Sequence, residues 1–158
     1  MPRLGKYLIL VFLLTLITAC KPQTNVNLEG EHWVVFSAEH AQQTELGKWL
    51  FSDNVEYWTP AEADIRAVEN GVGAFLQKNE SAFYTDTPVW ERLDDYNRQY
   101  IGIVADGKQI IYANYFCASS ENWKQEFVFV ADGGACYFQF QYDVERDEFM
   151  NLQVNGEA

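Results

Sequence analysis

Few side chains in this sequence are spaced to do chemistry, and the three cysteines, Cys20, Cys117 and Cys136, come first. A thiol can be a nucleophile, a metal ligand, a point of modification or half of a disulfide, and redox compartment decides among these. The two histidines, His32 and His40, are eight residues apart, which fits no standard ligand pair, so no metal is expected on them. None of Ser37, Ser52, Ser81, Ser119 and Ser120 sits in a Gly-x-Ser-x-Gly elbow, and both histidines lie in the N-terminal third. A hydrolytic triad is therefore not expected. Glu62 and Asp94-Asp95 are the most suggestive carboxylates, yet in a chain with 23 acids abundance does not make a catalytic pair. Asp143-Val144-Glu145-Arg146-Asp147-Glu148 lacks the central glycine and the ligand order of a calcium loop and reads as a solvated turn. Gly133-Gly134 falls between expected strands, not ahead of a helix, so it cradles no phosphate.

Arg98 stands out because basic residues are scarce. In Tyr96-Asn97-Arg98-Gln99-Tyr100 a guanidinium enters an aromatic strand start, where it either fixes a ligand carboxylate through paired hydrogen bonds or forms a structural salt bridge with one of the many acids.

The setting for the cysteines is written at the N-terminus. Arg3 and Lys6 precede an apolar run from Tyr7 to Leu14, and Thr15-Leu16-Ile17-Thr18-Ala19 leads to Cys20. A basic start, an apolar middle and a small-residue exit form a secretory signal, and the apolar run is short against the ~20 residues of a spanning helix. Ile17-Thr18-Ala19-Cys20 resembles the lipobox of bacterial lipoproteins. That resemblance implies lipidation of Cys20 and cleavage just before it, so the chain is anchored to a membrane by an N-terminal lipid. Ordinary cleavage after Ala19 is the alternative. Lipidation leaves Cys117 and Cys136 as an even pair in an oxidising compartment, where a disulfide is expected. Lys21 follows Cys20, and resemblance to Gram-negative lipoproteins then implies the outer membrane, facing the periplasm.

Residues 1–19 are thus read as signal peptide, 20–31 as a lipidated polar tether and 32–158 as a single domain. Arg3 and Lys6 leave with the signal, which takes the balance of 11 basic and 23 acidic side chains from −12 to −14. So acidic a surface repels phosphate backbones and removes nucleic acid from the expected partners, while it attracts cationic ones. The aromatic content of 16% must be buried or mark a contact surface.

Several elements must position these groups. His32 to Phe36 is an expected strand or apolar segment, and Ala38 to Phe51, with Leu46, Trp49 and Leu50, a short amphipathic helix. The clearest helix follows Thr59-Pro60-Ala61-Glu62, which has the form of a capping box with proline at the first helical position. Its apolar stripe is Ile65, Val68, Val72, Phe75 and Leu76, and Gly71 and Gly73 either weaken it or permit close packing. From Gln99 the pattern turns to antiparallel strands. Tyr100–Ala105 meets Gln109–Cys117 across Asp106-Gly107, and Phe127–Ala131 meets Ala135–Tyr142 across Asp132-Gly133-Gly134. A last strand covers Phe149–Val154. The expected fold is α+β, a curled antiparallel sheet of four to five strands with one or two helices packed on it.

Alternation puts Ile111, Ala113, Tyr115 and Cys117 on one face, and Cys136, Phe138, Phe140 and Tyr142 likewise on one face. A Cys117–Cys136 bond requires both sets on the same side of the sheet, most simply on neighbouring strands. The opposite face carries Ile110, Tyr112, Asn114 and Phe116, with Tyr137, Gln139 and Gln141 on the later strand. Either the N-terminal strand and helix cover it, or Tyr112, Asn114, Phe116 and Tyr137 line a groove for a peptide, glycan or protein partner.

Trp58-Thr59-Pro60, Arg98-Gln99-Tyr100, Asp132-Gly133-Gly134 and Asn155-Gly156-Glu157-Ala158 resemble a group of small uncharacterised bacterial proteins, many of them exported. The resemblance implies only that Trp58 to Ala158 behaves as a unit. The expected function is that of a non-enzymatic periplasmic module that binds a protein, peptide or cell-wall component without cofactor. One version inhibits a cationic enzyme that attacks the envelope, such as lysozyme. The alternative is an envelope hydrolase that acts on glycan or ester bonds through two carboxyl groups with displaced pKa values in a deep pocket.

Overall fold

A computed structural model describes residues 28–44, 50–51 and 55–157. The expected signal peptide, Cys20 and most of the tether lie outside these residues, as do Leu46 and Trp49 of the first expected helix. Strands β1 (Leu28–Glu29), β2 (Trp33–Phe36), β3 (Glu56–Trp58), β4 (Asn97–Ala105), β5 (Lys108–Phe116), β6 (Tyr137–Asp143) and β7 (Glu148–Val154) form one open sheet. Helix α1 spans Ala38–Gln43 and helix α2 spans Glu62–Lys78. Among the described residues no helix is long and apolar enough to cross a membrane.

The class is α+β, but the sheet is larger than expected and mixed. Its order is β1-β2-β4-β5-β6-β7, with β3 pairing to β4 beside this path. β2 runs parallel to β4, Trp33 opposite Arg98 and Phe36 opposite Ile101, while β3 pairs antiparallel further along, Trp58 opposite Gly102. The last residues of the expected tether belong to the sheet, since Leu28 and Glu29 pair with Val35 and Val34. Gly30 turns that short hairpin with its N–H donating to the Trp33 carbonyl at 2.8 Å.

The central hairpin follows its turn chemistry. Asp106 and Gly107 both take positive φ, 51° and 76°, and the register closes on Ala105 opposite Lys108. Phe138, Phe140 and Tyr142 of β6 face Tyr115, Ala113 and Ile111 of β5. This is the shared face that alternation requires.

Helix α2 covers that face. Ile65, Val68, Val72 and Leu76 are fully buried in one cluster with Tyr100, Tyr115, Phe138 and Phe140, as their helical spacing demands. A Cβ on Gly71 would meet the Phe149 ring at 2.6 Å, so this glycine permits close approach of α2 to β7. Capping differs from expectation by two residues: Ala61 is the N-cap, and its N–H donates to Asp64 Oδ2 at 2.8 Å. Thr59 instead accepts the Ala38 N–H at 2.9 Å, which ties the start of α1 to the approach of α2. Helix α1 is short because Ser37 caps it, accepting the His40 N–H, and Thr44 ends it.

The expected strand Phe127–Ala131 is absent. Residues 118–130 instead cross the second face of the sheet, and β6 begins only after a short 3-10 turn, Gly134–Cys136. The backbone at Val128 bonds to side chains projecting from the sheet, so no ladder forms there.

Candidate functional site

Cys117 and Cys136 form a disulfide with Cα atoms 5.0 Å apart, and the Cys117 N–H donates to the Cys136 carbonyl at 3.0 Å. The bond therefore closes the loop that contains the covering segment.

The second face holds a row of amides in register. Gln99 of β4 lies opposite Asn114 of β5, and Asn114 opposite Gln139 of β6. Asn114 Nδ2 donates to Gln99 Oε1 at 3.0 Å and to the Val128 carbonyl at 2.8 Å. Gln99 Oε1 accepts the Val128 N–H at 2.9 Å, and its Nε2 donates to the Trp123 and Glu126 carbonyls. Gln139 Nε2 donates to Asn114 Oδ1 at 3.1 Å. Buried amides satisfied in this way fix the covering segment to the sheet.

Consequently the five residues considered for a binding face do not form one. Asn114 and Phe116 are buried, with Phe116 edge-on to Trp123 at 5.9 Å. Tyr112 is half-buried, edge-on to Phe51 at 5.1 Å and 6.3 Å from Phe127. Tyr137 is half-buried beside Gly133. Cover is shared: Ala41 of α1 and Phe51 pack over this face as expected, and residues 118–130 add Trp123, Phe127 and the backbone at Val128. Arg98 lies on the other face with Tyr100 and Tyr115, because residues one apart on a strand point to opposite sides.

Around Arg98 lies a cluster of ionisable groups. Arg98 Nη1 is 3.1 Å from Glu69 Oε2, Nη2 donates to the Leu93 carbonyl at 2.6 Å, and the guanidinium stands over the Tyr115 ring at 5.6 Å. Tyr100 donates its hydroxyl to Glu69 Oε1, and the Tyr100 and Tyr115 hydroxyl oxygens are 2.8 Å apart. Burial, then the negative charge nearby, raises both phenols well above their ordinary pKa of 10. None of these four residues lines the two clefts described below. The cluster clamps α2 to the sheet, and sequence reasoning identified Arg98 without its partner Glu69.

Other expected groups are also structural. Glu62 pairs with Arg66 on the helix surface at 2.5 Å, and Asp94 is exposed, 4.0 Å from Arg98. Asp143 is buried, and its Oδ1 accepts the Glu145 and Arg146 N–H groups, so the acidic turn is organised by its own backbone. Among the described residues no group of three or more histidine, cysteine, aspartate or glutamate side chains could hold a metal ion.

Exposed chemistry concentrates instead on the connection from α2 to β4, residues 79–96, of which sequence reasoning weighed only Asp94-Asp95. Glu80, Asp86, Glu91, Asp94 and Asp95 are exposed there against one base, Arg92. Tyr84 is 81% exposed, the most exposed large hydrophobic side chain among the described residues. From the end of the 3-10 turn Glu80–Ala82, alternate residues of the chain line two different clefts. Ala82 and Tyr84 line a cleft of about 380 Å³ shared with Ala135 and Asn155. Phe83 and Thr85 line one of about 390 Å³ shared with Glu80 and Trp90. The acid excess and the tyrosine of this stretch were readable in the sequence, but it matches no periodic element and so drew no functional reading.

No family model, curated protein or solved structure matches the chain.

Proposed function

We propose that this chain is a bacterial envelope lipoprotein, anchored through lipidated Cys20, whose domain binds a cationic partner and does not catalyse a reaction. The partner is a basic protein or a cationic cell-wall component, met at the outer membrane on its periplasmic side. One observation carries this reading. Residues 79–96 expose five acids and Tyr84; Glu80 and Asp86 line a cleft with Phe83 and Trp90, and Glu80, Asp86 and Glu91 have no ion-pair partner among the described residues. Unneutralised carboxylates next to aromatic surface favour a cationic partner, and a whole-chain charge of −12 adds long-range attraction.

Two measurements test the proposal. In cell fractionation the full chain goes to the outer membrane, and Cys20→Ala releases it from membranes. With the full chain in neutral detergent as bait, capture from envelope extract enriches proteins of high isoelectric point. Raising salt from about 0.1 to 0.5 M abolishes that capture, since screening shortens the reach of surface charges. Capture indifferent to salt, or of acidic proteins, overturns the binding reading.

A further inference from the structure

The cleft between Glu80 and Trp90 has walls of two kinds. Phe83, Trp90 and Pro88 line it with apolar surface, and Glu80 and Asp86, which also line it, are exposed. Its base is fixed by the core. Phe83 is only 8% exposed and stands edge-on to Phe138 at 5.4 Å, and Val89, just before Trp90, is fully buried. Thr85 Oγ1 donates to the Thr87 carbonyl at 3.3 Å, which holds the turn that presents Asp86. The walls are therefore set before a ligand arrives, which lowers the entropic cost of binding.

This combination selects among ligands. An anion meets two carboxylates and is repelled. A neutral apolar ligand strips water from those carboxylates and returns nothing for it. A metal ion finds no third ligating side chain beside them. An alkylammonium or guanidinium group suits both walls, because a cation is drawn to ring faces and to carboxylates, and its methylene stem lies against aromatic surface. At about 390 Å³ the space admits a whole extended side chain with the backbone that carries it.

Resting on the reading above, we propose that this cleft receives a lysine or arginine side chain from a basic protein segment. The probes are hexalysine and hexaarginine peptides, titrated calorimetrically into the full chain in neutral detergent, with a glycine-serine peptide as the uncharged control. Both basic peptides bind and the control does not. The double variant Glu80→Gln/Asp86→Asn weakens binding about tenfold by removing two surface charge contacts. A second double variant, Glu145→Gln/Glu148→Gln, removes the same charge from the exposed β6–β7 turn and weakens it no more than about twofold. Trp90→Leu keeps an apolar side chain, though a smaller one, and weakens binding about threefold through loss of the ring face. Circular dichroism checks that each variant is folded, and the Glu80/Asp86 pair is exposed, so the test survives if Trp90→Leu unfolds. Equal weakening by the two double variants overturns the cleft assignment, since binding then follows net charge alone. That result leaves the cationic-partner reading intact. Absence of peptide binding to the unsubstituted chain also overturns the assignment, while salt-sensitive capture from envelope extract would still uphold that reading.

Discussion

Gln99 and Asn114 are cross-strand partners, and between them they hold both backbone polar groups of Val128: Gln99 Oε1 accepts its N–H and Asn114 Nδ2 donates to its carbonyl. Two side-chain amides thus do for residues 118–130 what a neighbouring strand does within a ladder. Their alternative is burial without partners, which is why this face can be polar at its centre and still be covered there.

Gln99→Met tests this directly. It leaves the Trp123 and Glu126 carbonyls, the Val128 N–H and one Asn114 hydrogen without their partner. The expected loss in urea unfolding is about 3 kcal/mol, the upper range for unsatisfied buried groups. Gln139→Met is half-exposed, breaks one recorded bond and should cost under about 1 kcal/mol. Equal losses for the two would deny Gln99 its role.

What the sequence made legible follows from periodicity and turns. Asp106-Gly107, the shared face of Tyr115 and Phe138, and the stripe Ile65-Val68-Val72 needed only local rules, and each is in place. Phe127–Ala131 looked like a strand because it is apolar and followed by the turn residues Asp132-Gly133-Gly134. Whether an extended segment bonds to a backbone or to Gln99 and Asn114 depends on contacts 14 to 29 residues distant. The parallel pairing of β2 with β4 is equally non-local, and so was missed. Arg98 was singled out for its rarity, but its partner Glu69 was one acid among 23.

The Arg98–Glu69 pair should respond asymmetrically to removal of either partner. Arg98 keeps 9% of its side-chain exposure and Glu69 keeps 26%. Glu69→Gln strands the more deeply buried charge, with a carbonyl and the distant Asp94 for compensation, and should cost about 3 kcal/mol in urea unfolding. Arg98→Met strands a carboxylate that reaches water and keeps its bond from Tyr100, and should cost about 2 kcal/mol. The reverse order would mean that Arg98 stabilises chiefly through its ring contact with Tyr115.

Alkali should unfold the domain cooperatively. Tyr100 and Tyr115 have raised pKa values in the folded chain, and burial pushes Tyr112 up to about 12. Above pH 10 the unfolded chain loses these phenolic protons while the folded chain keeps them, so the unfolded state binds fewer protons and stability falls as pH rises. Their contribution is full below pH 10 and, for Tyr112, is spent near pH 12. Tyrosinate absorbance for the buried phenols should appear together with loss of the circular dichroism signal. Tyr112→Phe should flatten the fall between pH 10 and 12. Ionisation of every tyrosine near pH 10 with the fold intact would show that none is shielded.

The disulfide and the amide row hold the same segment from different points, so their effects on stability should not add. Cys117–Cys136 closes the loop at its ends, with a sequence separation of 19, and Gln99 and Asn114 grip it at Val128 in the middle. Reduction should cost about 3 kcal/mol in the chain-entropy view, and Cys117 is exposed enough for reductant to reach the bond. With its ends free, the segment must be ordered by the amides alone, and part of their favourable energy is consumed in that ordering. Gln99→Met in the reduced protein should therefore cost less than in the oxidised one, by about 1 kcal/mol, a coupling of the size found between groups that share a structural element. A double-mutant cycle measures it: oxidised and reduced chain, each with Gln99 and with Gln99→Met, compared by urea unfolding. Strict additivity would mean that the covering segment stays seated without its disulfide, held by Trp123 against Phe116 and by Lys124 on the Gly30 carbonyl.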